Sequence, residues 1–137
     1  MQKSLISPFL TFNGQAEEAI NYYVSCFPGA KIAQLLRYGD KVPHATKGNE
    51  NRILMGILSF KEQEIMFLDM DSDHSAPMFN WANSIHIYCN DEAEFDVIFD
   101  GLSKDGMVMM GPEPVAHFRK CAWVTDKFGV TWQTTWE

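Results

Sequence analysis

The sequence predicts an α+β fold of two βαβββ modules that form curved, mostly antiparallel sheets. Three observations favour this class: short alternating runs typical of strands, two segments with helical spacing of apolar residues, and a repeat of the order strand, helix, three strands. The chain has 137 residues, 46% of them hydrophobic, which suits one domain with a packed core. We therefore expect a single domain, with module one at about 5–70, a connection at 71–83 and module two at about 84–137.

Module one is predicted to open with a strand at 5–12 and a helix at 15–26. Apolar residues of the helical segment recur at intervals of three and four, which places them on one face, and Asn13 is the candidate N-cap. A loop is expected at 39–51, where Gly, Pro, Asn and charged residues concentrate. The remaining strands of the module are predicted at 31–38, 52–60 and 64–70.

Module two repeats this order. A strand at 84–89 precedes a helix whose apolar stripe begins at Phe95, with Asn90 as the candidate cap. Several residues match at an offset of 77, including Ser7 with Ser84. Each module is too small to bury its own sheet face, so two modules side by side would share a core and leave a cleft. Further strands are predicted at 107–110, 121–125 and 130–136.

Composition narrows the function classes. The net charge is −7 and the pI about 5.0, which disfavours nucleic acid as a partner. No apolar run is long enough to span a bilayer, and no secretory signal peptide is readable. An odd number of widely spaced cysteines disfavours a disulfide framework and favours the cytoplasm. These cysteines are Cys26, Cys89 and Cys121.

Four motifs carry a resemblance that runs over essentially the whole chain. They read SPFL at 7–10, FNGQAEEA at 12–19, RYG at 37–39 and WxxDKFGVxWQ at 123–133. With them the sequence resembles the PhnB-like branch of the vicinal-oxygen-chelate superfamily, which includes glyoxalase I, bleomycin-resistance proteins and extradiol dioxygenases.

The resemblance implies a pair of βαβββ modules, commonly dimeric, with a ligand cleft enclosed by each curved sheet. A homodimer is also expected because open sheets leave edges to cover. Members of this branch are often labelled demethylubiquinone methyltransferase. A conventional S-adenosylmethionine methyltransferase normally needs a glycine-rich loop between a strand and a helix, and the sequence contains none.

The resemblance also implies positions for metal ligands, on the first and last strands of each module. They fall on Ser7 and Ser84, near Asp69, and on Gln133. Neutral serines are poor ligands for the usual divalent metals, which bind imidazole, carboxylate or thiolate. No cofactor is therefore expected. If a divalent metal is bound, its ligands would be Asp69, His86 and Gln133.

His86 is the candidate catalytic residue. It lies two residues after Ser84 and so shares its sheet face, where it would be a general base or a ligand. The alternative is a half-buried histidine bonded to a neighbour. Aromatic residues on predicted strands, mostly core, would also line the cleft. The candidate ligand-binding residues are Ser7, Phe67, Asp69, Ser84, His86, Trp123 and Gln133.

Three functions remain open from the sequence. The first is a small-molecule binding protein with an aromatic-lined cleft and no metal. The second is a divalent-metal-dependent lyase, isomerase or transferase of the same superfamily, in which the metal polarises substrate oxygens. The third is an interaction module without a ligand. The residues do not identify a substrate.

Overall fold

The computed structural model describes residues 6–41 and 48–137. The chain divides between Pro77 and Met78 into two compact units, each with its own four-stranded sheet. No helix within the described ranges is long and apolar enough to cross a membrane.

Unit 1 contains four strands, one long helix and one short helix. Its sheet has the order β1-β4-β3-β2, in which β1 is parallel to β4 and the other neighbours are antiparallel. The elements are β1 (Phe9–Phe12), α1 (Ala16–Cys26), β2 (Lys31–Arg37), α2 (Tyr38–Lys41), β3 (Ile53–Phe60) and β4 (Gln63–Asp69).

Unit 2 repeats this plan. Its sheet has the order β5-β8-β7-β6, again with one parallel pair, β5 with β8. The elements are β5 (Ile85–Tyr88), α3 (Glu92–Ser103), β6 (Met107–Val115), β7 (Phe118–Thr125) and β8 (Thr131–Trp136). The predicted α+β class with two βαβββ modules is confirmed, whereas the grouping of both modules into one domain stays a prediction.

Several element boundaries differ from expectation. The first strand begins at Phe9, and residue 5, where it was predicted to start, lies outside the described residues. The predicted loop at 39–51 contains most of α2, and its residues 42–47 are outside the described part. Strand β6 continues past Gly111 and two prolines to Val115, because register shifts accommodate those residues within the ladder.

Both predicted helix caps are wrong, for different reasons. The Asn13 side chain instead exchanges two hydrogen bonds with the backbone of Ala76, at 3.1 and 2.8 Å. In unit 2 the N-cap is Asp91, whose carboxylate accepts from the Glu94 N–H at 2.8 Å. Glu94 in turn accepts from the Asn90 N–H at 2.9 Å, which gives a reciprocal arrangement close to a capping box.

Each sheet buries one face against its long helix. In unit 1 the Phe67 ring lies 5.9 Å from both Phe12 and Tyr23, all three almost completely buried. In unit 2 the corresponding core contains Phe95 of α3 and Trp132 of β8. Large aromatic side chains supply much of the buried apolar area in both units, so the helix-facing side of each sheet is committed to packing.

Candidate functional site

The candidate site lies on the face of the unit 2 sheet that is turned away from α3. Val124 and Trp132 are fully buried on the α3 side, where Lys120 Nζ also pairs with acids of that helix. Side chains alternate along a strand, so Trp123 and Gln133 point the opposite way. We call that side the far face.

A row of four side chains crosses the far face at one register. His86 of β5 pairs with Gln133 of β8, Gln133 pairs with Trp123 of β7, and Trp123 pairs with Met110 of β6. We call these four residues the central row. Register-paired side chains on adjacent strands lie within contact distance, so the row brings an imidazole, an amide and an indole together.

The polar members of the row are held by neighbours on the same face. The Gln133 amide donates from Nε2 to Ser84 Oγ at 2.9 Å. His86 Nε2 lies 2.8 Å from Thr135 Oγ1, a hydroxyl two residues further along β8. The His86 and Tyr88 rings meet edge to face at 4.3 Å. These contacts fix where the polar groups of the row point.

The surroundings of His86 favour its neutral imidazole form. Loss of hydration around the ring lowers its pKa below the ordinary histidine value of 6.5, although the side chain keeps substantial exposure. A neutral imidazole has one ring nitrogen that donates and one that accepts. It therefore offers hydrogen bonds without adding positive charge.

Trp123 supplies an aromatic surface with an unused polar atom. Its Nε1 is buried and, among the described protein atoms, has no hydrogen-bond partner. Trp81 packs against it nearly at right angles, with the ring centroids 6.0 Å apart, and is itself 62% exposed. An exposed indole against a half-buried one provides apolar surface for a planar molecule.

The far face also contains residues that the sequence analysis did not select. Thr135 follows Gln133 by two positions on the same strand. Because side chains alternate along a strand, this spacing alone would have predicted that Thr135 lies beside the central row. Trp81 lay in the predicted connection at 71–83, where a large aromatic among polar residues was the available signal.

Three of the four equivalent positions in unit 1 are apolar, and the fourth, which pairs with Ile57 from the edge strand β2, is Gln34. Phe9 of β1 pairs with Met66 of β4, and Met66 pairs with Ile57 of β3, in the same register as His86, Gln133 and Trp123. The counterpart of Gln133 in unit 1 is therefore Met66, and not a residue near Asp69.

Asp69 lies on the other side of its sheet and is engaged by backbone groups. Its Oδ1 accepts from the N–H groups of Gly14 and Ala16 at 2.8 and 2.9 Å, and its Oδ2 accepts from the Ile53 N–H at 2.9 Å. The side chain is 1% exposed. Asp69 thus caps α1 from a distant strand, where a carboxylate also favours the positive helix end.

The other two candidates of unit 1 are placed differently from each other. Phe67 is fully buried in the α1 core, where its ring packs on Phe12 and Tyr23. Ser7 precedes β1, is half-buried, and stands at the position that Ser84 occupies before β5.

The donor set does not fit a resident divalent metal. The positions implied by the resemblance carry two hydroxyls, from Ser7 and Ser84, with an amide at Gln133 and a thioether at its counterpart Met66. Divalent metals in proteins bind imidazole, carboxylate or thiolate in preference to these groups. Within the described ranges, no cluster of three or more His, Cys, Asp or Glu could hold a metal ion.

The C-terminal motif has a structural use. Asp126 Oδ1 accepts from the N–H groups of Phe128 and Val130 at 2.8 and 3.2 Å, and its Oδ2 accepts from Trp132 Nε1 at 2.8 Å. Gly129 completes the turn with a φ of 90°, a conformation that favours glycine. The motif therefore shapes the β7–β8 hairpin that presents Trp123 and Gln133.

Comparison with known proteins gives a consistent result. The family model described as 3-demethylubiquinone-9 3-methyltransferase matches residues 4–135. A PhnB protein from Bacillus cereus is 34% identical, with a TM-score of 0.82 over 98% of this chain and 100% of that one.

Two further solved structures share the fold. Protein PA1353 from Pseudomonas aeruginosa is 25% identical, with a TM-score of 0.86 over 100% of this chain and 98% of that one. A glyoxylase/bleomycin resistance protein/dioxygenase domain from Frankia is 10% identical, with a TM-score of 0.67 over 99% and 98% of the two chains. That last likeness is of fold alone. No curated protein matches the chain.

Proposed function

Because the chain belongs to the PhnB-like family within the glyoxalase/bleomycin-resistance/dioxygenase superfamily, we propose that it is a small-molecule binding protein of the vicinal-oxygen-chelate type. The model of that family is described as 3-demethylubiquinone-9 3-methyltransferase. The proposed ligand site is the far face of unit 2, with Ser84, His86, Trp123 and Gln133 as the binding residues.

One observation carries this proposal: a neutral imidazole, an amide and an indole share a single register across the sheet. Ligand sites typically combine apolar and aromatic walls with a few fixed polar groups. The central row has this composition, and Thr135 and Ser84 hold its polar members in place at 2.8 and 2.9 Å.

Core packing does not account for this composition. The face against α3 already buries the large aromatic side chains of unit 2, including Trp132 and Phe95. On the far face, by contrast, the Trp123 indole and the Gln133 amide are only half-buried, so a ligand can still contact them.

Binding is tested by thermal stabilisation and by tryptophan fluorescence with phenol, benzamide, catechol and S-adenosylmethionine as probes. We expect an aromatic probe to raise the Tm in a saturable way, because ligands of the native state stabilise it. His86→Ala and Trp123→Phe should weaken that probe about tenfold or more.

The control variant is Asp100→Asn, an exposed position on α3 that should leave affinity unchanged. Melting without probe shows whether each variant is folded. Absence of stabilisation by any aromatic probe would refute the proposal, and so would equal affinity in the three variants. Saturable binding of S-adenosylmethionine alone would favour the activity named in the family description instead.

We also propose that the chain acts as a homodimer in the cytoplasm. Strand β6 lies at the edge of its sheet and exposes Met107, Val108 and Val115, and edges of this kind are commonly covered by a partner. The three cysteines, all within the described ranges, form no disulfide, which suits a reducing compartment; they are Cys26, Cys89 and Cys121. Sedimentation velocity should give twice the mass of the chain, and a concentration-independent monomer would contradict the homodimer.

A further inference from the structure

We infer that the central row selects an uncharged planar ligand that carries a hydrogen-bond donor and an acceptor on one edge, of which a primary aromatic carboxamide is the simplest example. This inference rests on the proposed function. It adds the charge and the polar pattern of the ligand to the general statement that a small molecule binds.

The Gln133 amide provides the polar pattern. An amide side chain has two N–H donors and an oxygen that accepts two hydrogen bonds. One donor of Gln133 is used on Ser84 Oγ at 2.9 Å. Its Oε1 and second N–H remain for a ligand, and a carboxamide matches that pair of atoms with its own donor and acceptor.

Ser84 extends the same pattern. Because Ser84 Oγ accepts from Gln133, its own hydroxyl proton is available to donate. The His86 ring, which is the register partner of Gln133 on β5, supplies one further donor or acceptor. A ligand edge with both kinds of group would therefore satisfy more of these atoms than an edge with acceptors only.

The central row and its neighbour Ser84 carry no fixed charge. Gln133, Trp123, Met110 and Ser84 are uncharged residue types, and the lowered pKa of His86 favours its neutral imidazole. Taking a carboxylate or an amidinium out of water costs free energy unless an opposite charge compensates. The central row contains no such charge, so a neutral ligand binds at the smallest cost.

Charged residues at the margins of the far face do not reverse this preference. Glu113 pairs with Cys121 on the edge strand and would repel an anion. The Arg119 guanidinium lies over the Trp136 ring, 5.1 Å from its centre, and belongs to an exposed residue, where solvent and salt weaken its attraction for an anion.

The indole of Trp123 accounts for the planar shape. A flat ring gains dispersion and quadrupole interactions against an indole face or edge. Trp81, which is 62% exposed and packed edge-on against Trp123, adds a second aromatic surface at the same place. An aromatic carboxamide thus joins the ring that these indoles favour to the polar edge that Gln133 favours.

Three probes of nearly the same shape test the inference: neutral benzamide, anionic benzoate and cationic benzamidine. Their affinities are measured by titration calorimetry at about pH 7.5, where each probe has its stated charge. In the unaltered protein we expect benzamide to bind at least about tenfold more tightly than either ion. Gln133→Glu should reverse the order and make benzamidine the tightest ligand, since it introduces a carboxylate opposite the probe.

Gln63→Glu is the matched control. It makes the same chemical change at an exposed position of unit 1, so the preference for benzamide should persist. If phenol binds but benzamide and benzoate bind equally, the inference fails while the proposed function stands. If neither phenol nor any of the three probes binds, both fail together. A reversed order in the Gln63→Glu control would also overturn the inference.

Discussion

The two units share a backbone plan but differ in what they present on it. The row Phe9, Met66 and Ile57 in unit 1 occupies the register that His86, Gln133 and Trp123 occupy in unit 2. These three residues of unit 1 are apolar, with a polar residue, Gln34, only at the edge-strand position of the row, whereas unit 2 combines an imidazole, an amide and an indole at the three inner positions. Register therefore determines where a site would be, and residue identity determines which of the two rows is suited to bind.

The units also differ in how the start of the long helix is satisfied. Helix α3 has a local cap, since Asp91 accepts from Glu94 three residues later. Helix α1 is capped by Asp69, which is distant in sequence and also binds the first N–H of β3. A local cap stabilises one helix end, whereas the remote carboxylate ties α1, β3 and β4 together, so its loss should affect the whole of unit 1.

The largest effect is therefore expected for Asp69→Ala. The change leaves the buried N–H groups of Ala16 and Ile53 and the part-buried N–H of Gly14 without an acceptor, and each buried group costs roughly 1–3 kcal/mol. We expect the free energy of unfolding to fall by about 3 kcal/mol or more. Urea denaturation measures it. Asp73→Ala, at an exposed acid in the same segment, should change it by less than about 0.5 kcal/mol. Equal midpoints for the two variants would contradict the role of Asp69.

Asp69 also shows where prediction from the sequence ended. The helices and strands followed from spacing, because periodicity reports which face of an element is buried. The offset of 77 related Ser7 to Ser84, whereas the resemblance placed the last-strand counterpart of Gln133 near Asp69, although strand pairing makes it Met66. Local patterns carry no information about cross-strand register, and a remote cap leaves no trace beside the helix that it caps.

The second effect concerns Asp126, which unites the β7–β8 turn with Trp132. Asp126→Asn keeps the size of the side chain but places an NH2 group where one of the carboxylate oxygens accepts a hydrogen bond. We expect a loss of about 2 kcal/mol in the free energy of unfolding, measured by urea denaturation. The same substitution at Asp100, exposed on α3, should cost less than about 0.5 kcal/mol. A smaller loss in the free energy of unfolding for Asp126→Asn than for Asp100→Asn would refute the structural role of the C-terminal motif.

Exchange of residues between the two rows separates binding from folding. Gln133→Met gives unit 2 the residue that unit 1 has at that register, and should weaken benzamide about tenfold because the polar pair is lost. The Tm measured without benzamide should change little, because the substitution retains a half-buried side chain of similar size. Met66→Gln makes the reverse change and should leave benzamide affinity within about twofold. Unchanged affinity in Gln133→Met would remove Gln133 from the proposed site.

The smallest effect is expected for the ion pair at the edge of unit 1. Arg37 donates to both carboxylate oxygens of Glu17, at 2.8 and 2.7 Å, but both side chains are about a third or more exposed. A double-mutant cycle with Glu17→Gln and Arg37→Gln should give a coupling free energy of about 0.5 kcal/mol that shrinks in high salt.

The pH dependence of that coupling has a definite sign. The hydrogen bond from Arg37 lowers the pKa of Glu17 below its ordinary value of 4.5. The folded state therefore holds the ionised form more strongly than the unfolded state does, and the contribution is complete above that value and disappears as the pH falls through the lower folded pKa. A coupling that vanished already near neutral pH, or that grew with salt, would show that the pair does not join α1 to β2 as an ion pair.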